Sequence, residues 1–278
     1  MIIIADSGST KTTWTFIKKT GEIVNQVKTK GINPFYQSKE EISHIIKEEI
    51  SFKVNTPVEV HFYGAGCANE EKNSLVKNAI TQVWNTSQIN VESDLLAAAR
   101  SLCKHRPGIA CIMGTGSNSC VYDGKTIINH VSPLGYILGD EGSGAVLGKK
   151  LVADILKQQL PNEIIKEFEN TYSYSAAEIL DRVYKQPFPN RFLAQFTYFL
   201  SKNRDHNKIK NLIVSSFIEF FKRNIDQYEN AKHQPVHFTG SIAWYFKDLL
   251  EEAAKECGYQ IEEISKDPMN GLIEYHTN

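Results

Sequence analysis

The chain has 278 residues, enough for two domains at the usual size of roughly 100–200 residues each. Its 31 Lys and Arg nearly match its 32 Asp and Glu, giving a formal net charge of −1. That balance argues against a nucleic-acid or membrane-surface role resting on bulk positive charge. The five cysteines are odd in number and show no Cys-x-x-Cys pair, no apolar run approaches the ~18–20 residues of a membrane span, and the N-terminus opens directly on a strand. The expectation is a reduced, cytoplasmic protein.

The opening segment Met1–Trp14 is an apolar β-run ending in a carboxylate, then a Gly/Ser/Thr turn, then a second strand over 14–18. A Walker loop is excluded, because Thr10 and not Gly precedes Lys11 and no helix follows. What remains is a hairpin turn whose N–H groups, with Ser7, Ser9, Thr10 and Lys11, suit phosphate oxygens. Asp6 is placed to hold Mg²⁺ through water. A third strand is predicted over 23–29, followed by a helix announced by the capping box of Ser38 and Glu41. Strand 58–63 then enters Gly64-Ala65-Gly66, a helix carries Leu75, Val76, Ala79, Ile80 and Val83, and strand 88–92 delivers Asp94 to helix 95–103. Asp94 sits where a crevice edge is expected in an α/β layer; a helix N-cap is its other reading, a job that Ser93 can do instead.

The plan then repeats. Buried-strand residues 109–113 run into Gly114-Thr115-Gly116-Ser117-Asn118-Ser119, followed by strand 120–122, an Asp123-Gly124 turn and strand 126–131. A dinucleotide fingerprint fails here, since Ser119 replaces the third glycine and no helix follows. A long helix is predicted over 141–160, with Asp140 a candidate N-cap and Glu141 complementing the dipole. Residues 162–231 read as further helices, with a capping box at Ser175 and Glu178. Their phenylalanines, Phe188, Phe192, Phe196, Phe199, Phe217, Phe220 and Phe221, read as core. Strand 235–239, helix 242–257, strand 260–265 and helix 269–275 complete the order.

The two turns, with Leu138-Gly139-Asp140-Glu141-Gly142-Ser143-Gly144 and Phe238-Thr239-Gly240-Ser241-Ile242-Ala243, resemble the actin-like ATPase and sugar-kinase superfamily. Within it the chain is most similar to the N-acetylglucosamine kinase branch, grouped with the benzoyl-CoA reductase activator ATPases. The resemblance implies two ribonuclease H-like α/β domains with a cleft between them: residues 1–108, with a C-terminal helix 268–278 packing back on them, and residues 109–267 carrying a helical insertion. It implies phosphorylation of N-acetylglucosamine at the 6-hydroxyl by ATP with Mg²⁺, and Asp94 as general base. ATP contacts would come from Ser7, Ser9, Thr10, Lys11, Gly114, Thr115, Gly116, Ser117, Gly240, Ser241 and Ala243, and sugar contacts from Asn33, Asn118, Gly135 and Asp140. Partners would be the small-molecule sugar and ATP, without nucleic acid or membrane, and a homodimer stays open. Two other readings stay open beside it: an activator-type ATPase of a reductase, whose bridging iron–sulfur cluster needs thiolates at a shared surface, and a non-catalytic sugar or nucleotide sensor. The first turn reads Asp-Ser-Gly-Ser-Thr in place of a glycine run, and Gly-Ile-Asn-Pro-Phe around Asn33 departs from the animal version.

Overall fold

A computed structural model describes residues 1–8, 10–52, 54 and 58–277. It separates into two compact units: unit 1 is Met1–Arg106, Asp123–Ile127 and the chain from Asp267 onward, and unit 2 is Pro107–Tyr122 with Ile128–Lys266.

Unit 1 is built on β1 (Ile2–Ser7), β2 (Lys11–Ile17), β3 (Ile23–Lys30), β4 (Glu59–Gly64) and β5 (Ile89–Ser93), in the order β3-β2-β1-β4-β5. The first three strands form an antiparallel meander, and β4 and β5 run parallel to β1. Strand alternation sends Ile3, Ala5, Trp14 and Phe62 to one face, where α1 (Lys39–Glu49) and α2 (Glu70–Trp84) cover them with Ile42, Ile46, Val76 and Ile80. Ile2, Ile4, Ile17 and Tyr63 point to the other face, under Ala97 of α3 (Asp94–Cys103) and Met269 and Leu272 of α13 (Met269–Thr277). The hold on α13 is partly polar. The His61 and His276 rings stack with centroids 3.7 Å apart, His276 Nε2 lies 2.8 Å from the Tyr63 hydroxyl, and Arg100 donates to that hydroxyl at 3.0 Å. Burial lowers the pKa of both imidazoles, that of His276 to about 3, so the pair is neutral at ordinary pH.

Unit 2 repeats this strand order. β6 (Gly108–Met113), β7 (Ser117–Tyr122), β8 (Ile127–Val131), β9 (Val236–Thr239) and β10 (Ile261–Ser265) lie in the order β10-β9-β6-β7-β8, with β9 and β10 parallel to β6. Between β8 and β9 the chain inserts α4 (Gly135–Leu138), α5 (Gly144–Leu156), α6 (Asn162–Tyr172), α7 (Ala176–Tyr184), α8 (Pro189–Ala194), α9 (Thr197–Lys202) and α10 (Asn207–Arg223). Phe196, Phe199, Phe217, Phe220 and Phe221 are buried in its core. Phe188 is not: it is about half exposed in a left-handed conformation before α8, with the Arg191 guanidinium 4.1 Å from its ring.

Both capping boxes form. Two predicted helices differ. The helix expected over 141–160 is α5 alone, because Asp140 and Gly142 have positive φ and Ser143 supplies the cap by accepting from the Val146 N–H. The helix expected over 242–257 breaks into α11 (Ser241–Tyr245) and α12 (Lys247–Glu256) at Phe246, whose ring is buried in the core. Among the described residues no helix is long and apolar enough to cross a membrane.

Helices α5 and α8 cross closely at Gly148, where a side chain would run into the Leu193 carbonyl, its carbonyl carbon lying 2.6 Å from a would-be Cβ. Gly148→Ala is expected to lower Tm by the equivalent of about 1–3 kcal/mol, read by thermal melting. An unchanged Tm would mean that α8 moves away freely.

Candidate active site

The turn after β1 is closed by the Gly8 N–H donating to the Lys11 carbonyl at 3.0 Å. Thr10 and Lys11 are exposed on it, and Ser9 lies outside the described residues. Ser7 faces inward. Its hydroxyl donates to the Ile32 carbonyl at 2.9 Å, accepts from the Ile32 N–H at 3.1 Å and lies 2.7 Å from the Thr12 hydroxyl. Ser7 thus ties the turn to the segment that leads into Asn33. Asn33 Oδ1 accepts from the Phe35 N–H at 3.0 Å, and its own N–H donates to Gln37 Oε1 at 2.7 Å. Gly66 leaves room for this amide, since a Cβ there would strike Asn33 Oδ1.

Asp6, Asp94 and Asp267 act on one corner of unit 1. The Asp6 carboxyl is raised to about 7, first by burial and then by the negative charges of Asp94 and Asp267, with Lys11 opposing. Asp94 is the first residue of α3, and Ser93 supplies the N-cap by accepting from the Leu96 N–H at 3.2 Å. The Asp94 pKa is raised because the group is buried, with the Leu95 N–H pulling the other way. A buried carboxylate not required as a cap is suited to accepting a proton. Asp267 was not singled out from the sequence. Its signal lies in the duplication: it follows β10 as Asp94 follows β5. Among the described residues no three His, Cys, Asp or Glu side chains converge on one ion. A hydrated Mg²⁺, which keeps several waters and uses one or two carboxylates, fits Asp6 and its negative surroundings without such a cage.

In unit 2 the second turn is shorter than predicted. β7 begins at Ser117, opposite Met113, so only residues 114–116 form the reversal. The Asp140 carboxylate sits against it: Oδ1 accepts from the Ser117 N–H at 3.3 Å, and a Cβ on Gly116 would lie 3.0 Å from Oδ2. Burial raises the Asp140 pKa to about 6. Asp140 is not an N-cap, since Ser143 fills that place. Glu141 does not open a helix either. It is buried, pairs with Arg223 Nε at 2.8 Å and accepts from Asn224 Nδ2 at 3.1 Å, an arrangement that sequence reading missed. A cavity of about 170 Å³ opens beside it, bounded by residues 131–134, Gly139, Arg223 and Gln227. Asn118 Oδ1 accepts from the Ser119 N–H at 2.9 Å and lies 3.0 Å from His130 Nε2. Gly135, at φ +73°, starts α4 with open space where a Cβ would stand.

Gly240 follows β9 at φ +124°, donates to the Ser265 carbonyl at 3.1 Å and packs against Met113 so closely that a side chain would strike the Met113 carbonyl. This brings Gly240 and the exposed Ser241 beside the 114–116 turn, while Ala243 is fully buried. The structure therefore assembles Asp6, Ser7, Thr10, Lys11, Asn33 and Asp94 in unit 1. It assembles Gly114, Thr115, Gly116, Ser117, Asn118 and Asp140 in unit 2, with Gly240 and Ser241 alongside.

No protein-family model and no curated protein matches the chain. Among solved structures, the "Putative N-acetylglucosamine Kinase" of Porphyromonas gingivalis is 42% identical, with 100% of this chain and 99% of that one aligned at a TM-score of 0.94. A second "Putative N-acetylglucosamine Kinase", from Chromobacterium violaceum, shares the fold at a TM-score of 0.76 and 14% identity, over 99% and 98% of the two chains. A ROK family glucokinase from Streptomyces griseus, solved with glucose and AMPPNP, shares it at 0.56 and 14%, over 99% and 97%. On the full-length likeness to the first of these, the chain belongs to the N-acetylglucosamine kinase-like family of the actin-like ATPase and sugar-kinase superfamily.

Proposed function

We propose that the chain is an ATP-dependent kinase that phosphorylates N-acetylglucosamine at its 6-hydroxyl, with Asp94 as general base. The observation that carries this reading is the Asp94 carboxylate, partly buried, raised in pKa and not required as the cap of its own helix. In the reaction the O6–H proton passes to Asp94 as the bond from O6 to the γ-phosphorus forms and the bond from that phosphorus to the ADP oxygen breaks. The triphosphate contacts are assigned to Thr10, Lys11 and Ser9 of the first turn and to Gly114, Thr115, Gly116 and Ser117 of the second, with Ser7 shaping the first turn through Ile32. Gly240, Ser241 and the backbone at Ala243 are assigned to the adenosine. Mg²⁺ held through water by Asp6 would neutralise charge on the phosphate oxygens. Asp140, Asn118, Asn33 and Gly135 are assigned to the sugar. The 42% identical relative, whose printed name is "Putative N-acetylglucosamine Kinase", supports the choice of sugar.

Asp94→Asn keeps the size of the side chain and removes the proton acceptor. A coupled ADP-release assay is expected to show kcat lower by ~10²–10⁴, toward the smaller figure if the transition state is loose. Tm should hold or rise, because Ser93 caps α3 and a buried carboxylate is gone. A variant that unfolds, or that turns over normally, would make Asp94 structural.

Asp140 tests the sugar contacts through pH. With its pKa raised to about 6, the group is ionised above that pH and accepts hydrogen bonds from sugar hydroxyls. The KM for sugar should therefore rise as pH falls through about 6, and this rise should be absent in Asp140→Asn. A rise of the same size in Asp140→Asn would remove Asp140 from the sugar.

Substrate choice gives a further check. Sites that hydrogen-bond a substituent discriminate strongly against analogues lacking it. Glucose should show a lower kcat/KM than its 2-acetamido form, and a preference for glucose would replace the amino-sugar assignment with a hexokinase-like one.

A further inference from the structure

Residues 139–143 form a short strap between α4 and α5, and both of its sides are held. Toward the 114–117 turn, the Ser117 hydroxyl donates to the Glu141 carbonyl at 2.8 Å. The N–H groups of Gly144 and Ala145, just beyond the strap, donate to the carbonyls of Gly114 and Thr115 at 2.8 and 3.0 Å. Toward α10, the Gly142 N–H donates to the Ser216 hydroxyl at 3.3 Å, and a Cβ on Gly142 would crowd Phe217 and Phe220. Asp140 lies on this strap in the left-handed region, at φ +54°. A residue other than glycine stays in such a conformation only where its surroundings over-determine it.

Glu141, the next residue, supplies the hold that comes from a side chain. Its carboxylate is nine-tenths buried, with one oxygen 2.8 Å from Arg223 Nε and the other accepting from Asn224 Nδ2 at 3.1 Å. Arg223 is the last residue of α10 and Asn224 its C-cap, and Asn224 is itself fixed by donating to the Phe220 carbonyl at 3.2 Å. Apolar side chains can fill a buried place at least as stably as an ion pair; what the paired carboxylate adds is a directed hold on the backbone that carries it. That backbone carries Asp140, whose own carboxylate rests against the Ser117 N–H and Gly116. The charged groups around Asp140 are Glu141, which raises its pKa after burial has done so, and Lys149, which opposes them along with the Ser117 N–H. Lys149 is held in turn by donating to the Tyr136 carbonyl of α4 at 2.6 Å.

We propose that Glu141, clasped by Arg223 and Asn224, is the positioning residue that aims Asp140 at the sugar. The inference rests on the assignment of Asp140 to the sugar in the kinase reading given above, and adds to it the group that fixes its direction. Glu141 touches no substrate on this account. It acts through the strap: with the clasp open, nothing from α10 holds the residue next to Asp140, and the left-handed turn is free to relax away from Ser117.

A double-mutant cycle on kcat/KM for N-acetylglucosamine, at saturating ATP and well above the Asp140 pKa of about 6, tests this. Glu141→Ala opens the clasp and should lower kcat/KM about tenfold, the scale of coupling within one hydrogen-bonded network. In the Asp140→Asn background the same change should cost little more, because its target is already disabled. Glu141→Gln still accepts from Arg223 Nε, with the Asn224 amide turned to offer its oxygen, and should recover most of the loss. It also removes a negative charge that holds the Asp140 pKa up, so the rise in sugar KM on acidification should move below about 6. Full activity in Glu141→Ala, or the same loss with and without the Asp140 carboxylate, would make Glu141 structural and overturn the inference while leaving the kinase reading intact. If Glu141→Ala does not fold, the pH shift in Glu141→Gln decides in its place, and an unmoved midpoint overturns the inference. A kcat/KM unchanged by Asp140→Asn alone would overturn both the sugar assignment of Asp140 and the role of Glu141.

Discussion

Shielding a carboxylate from water disfavours its charged form unless its surroundings compensate, and this chain partly buries three such groups, Asp6, Asp94 and Asp140. Each is raised in pKa with burial as the largest cause, and each receives a different, partial compensation. Lys11 faces Asp6, the Leu95 N–H at the start of α3 faces Asp94, and the Ser117 N–H faces Asp140. Much of the local architecture serves these three groups. Ser93 takes over capping of α3, Ser143 takes over capping of α5, and Gly116 leaves space for the Asp140 oxygens. Carboxylates held so incompletely in the free protein gain most when a cation or a hydroxyl donor arrives.

The same five-strand order occurs in both units, and it places the two glycine turns at equivalent points. In each unit an antiparallel meander is followed by two strands parallel to the first, and the glycine turn lies between the first and second strands. The units diverge between their third and fourth strands. Among the described residues unit 1 places α1 there, whereas unit 2 places seven α-helices, two short 3-10 helices and most of its phenylalanine core. That insertion carries Asp140 and Glu141, residues without a counterpart in the simpler connection of unit 1.

The parts of this organisation fixed by local chemistry were readable from the sequence. The turn after β1, both capping boxes, the Asp123-Gly124 reversal and the Ser93 cap depend on residues within a few positions of each other. Features that depend on distant partners were not readable. Nothing near Ser7 indicates that its hydroxyl is engaged by Ile32, and nothing near Glu141 announces Arg223 and Asn224. The break at Phe246 follows from a ring drawn into the core against a helical pattern that otherwise continues. Phe188 went the opposite way, because Pro189 starts α8 and leaves the preceding ring outside it. The bond between Tyr63 and His276 spans 213 positions, beyond any periodicity. Four of the five cysteines are buried within the units, which gives no support to thiolates at a shared surface.

Unit 1 is assembled from three separate stretches of chain, the last of which follows the whole of unit 2. During synthesis, the face of its sheet carrying Ile2, Ile4, Ile17 and Tyr63 therefore emerges long before Met269 and Leu272 exist to cover it. Unit 2 can complete its sheet with β10 while this face of unit 1 has α3 over it but still lacks the cover of α13. The order of manufacture is thus the reverse of the order of closure: the half made first is sealed last.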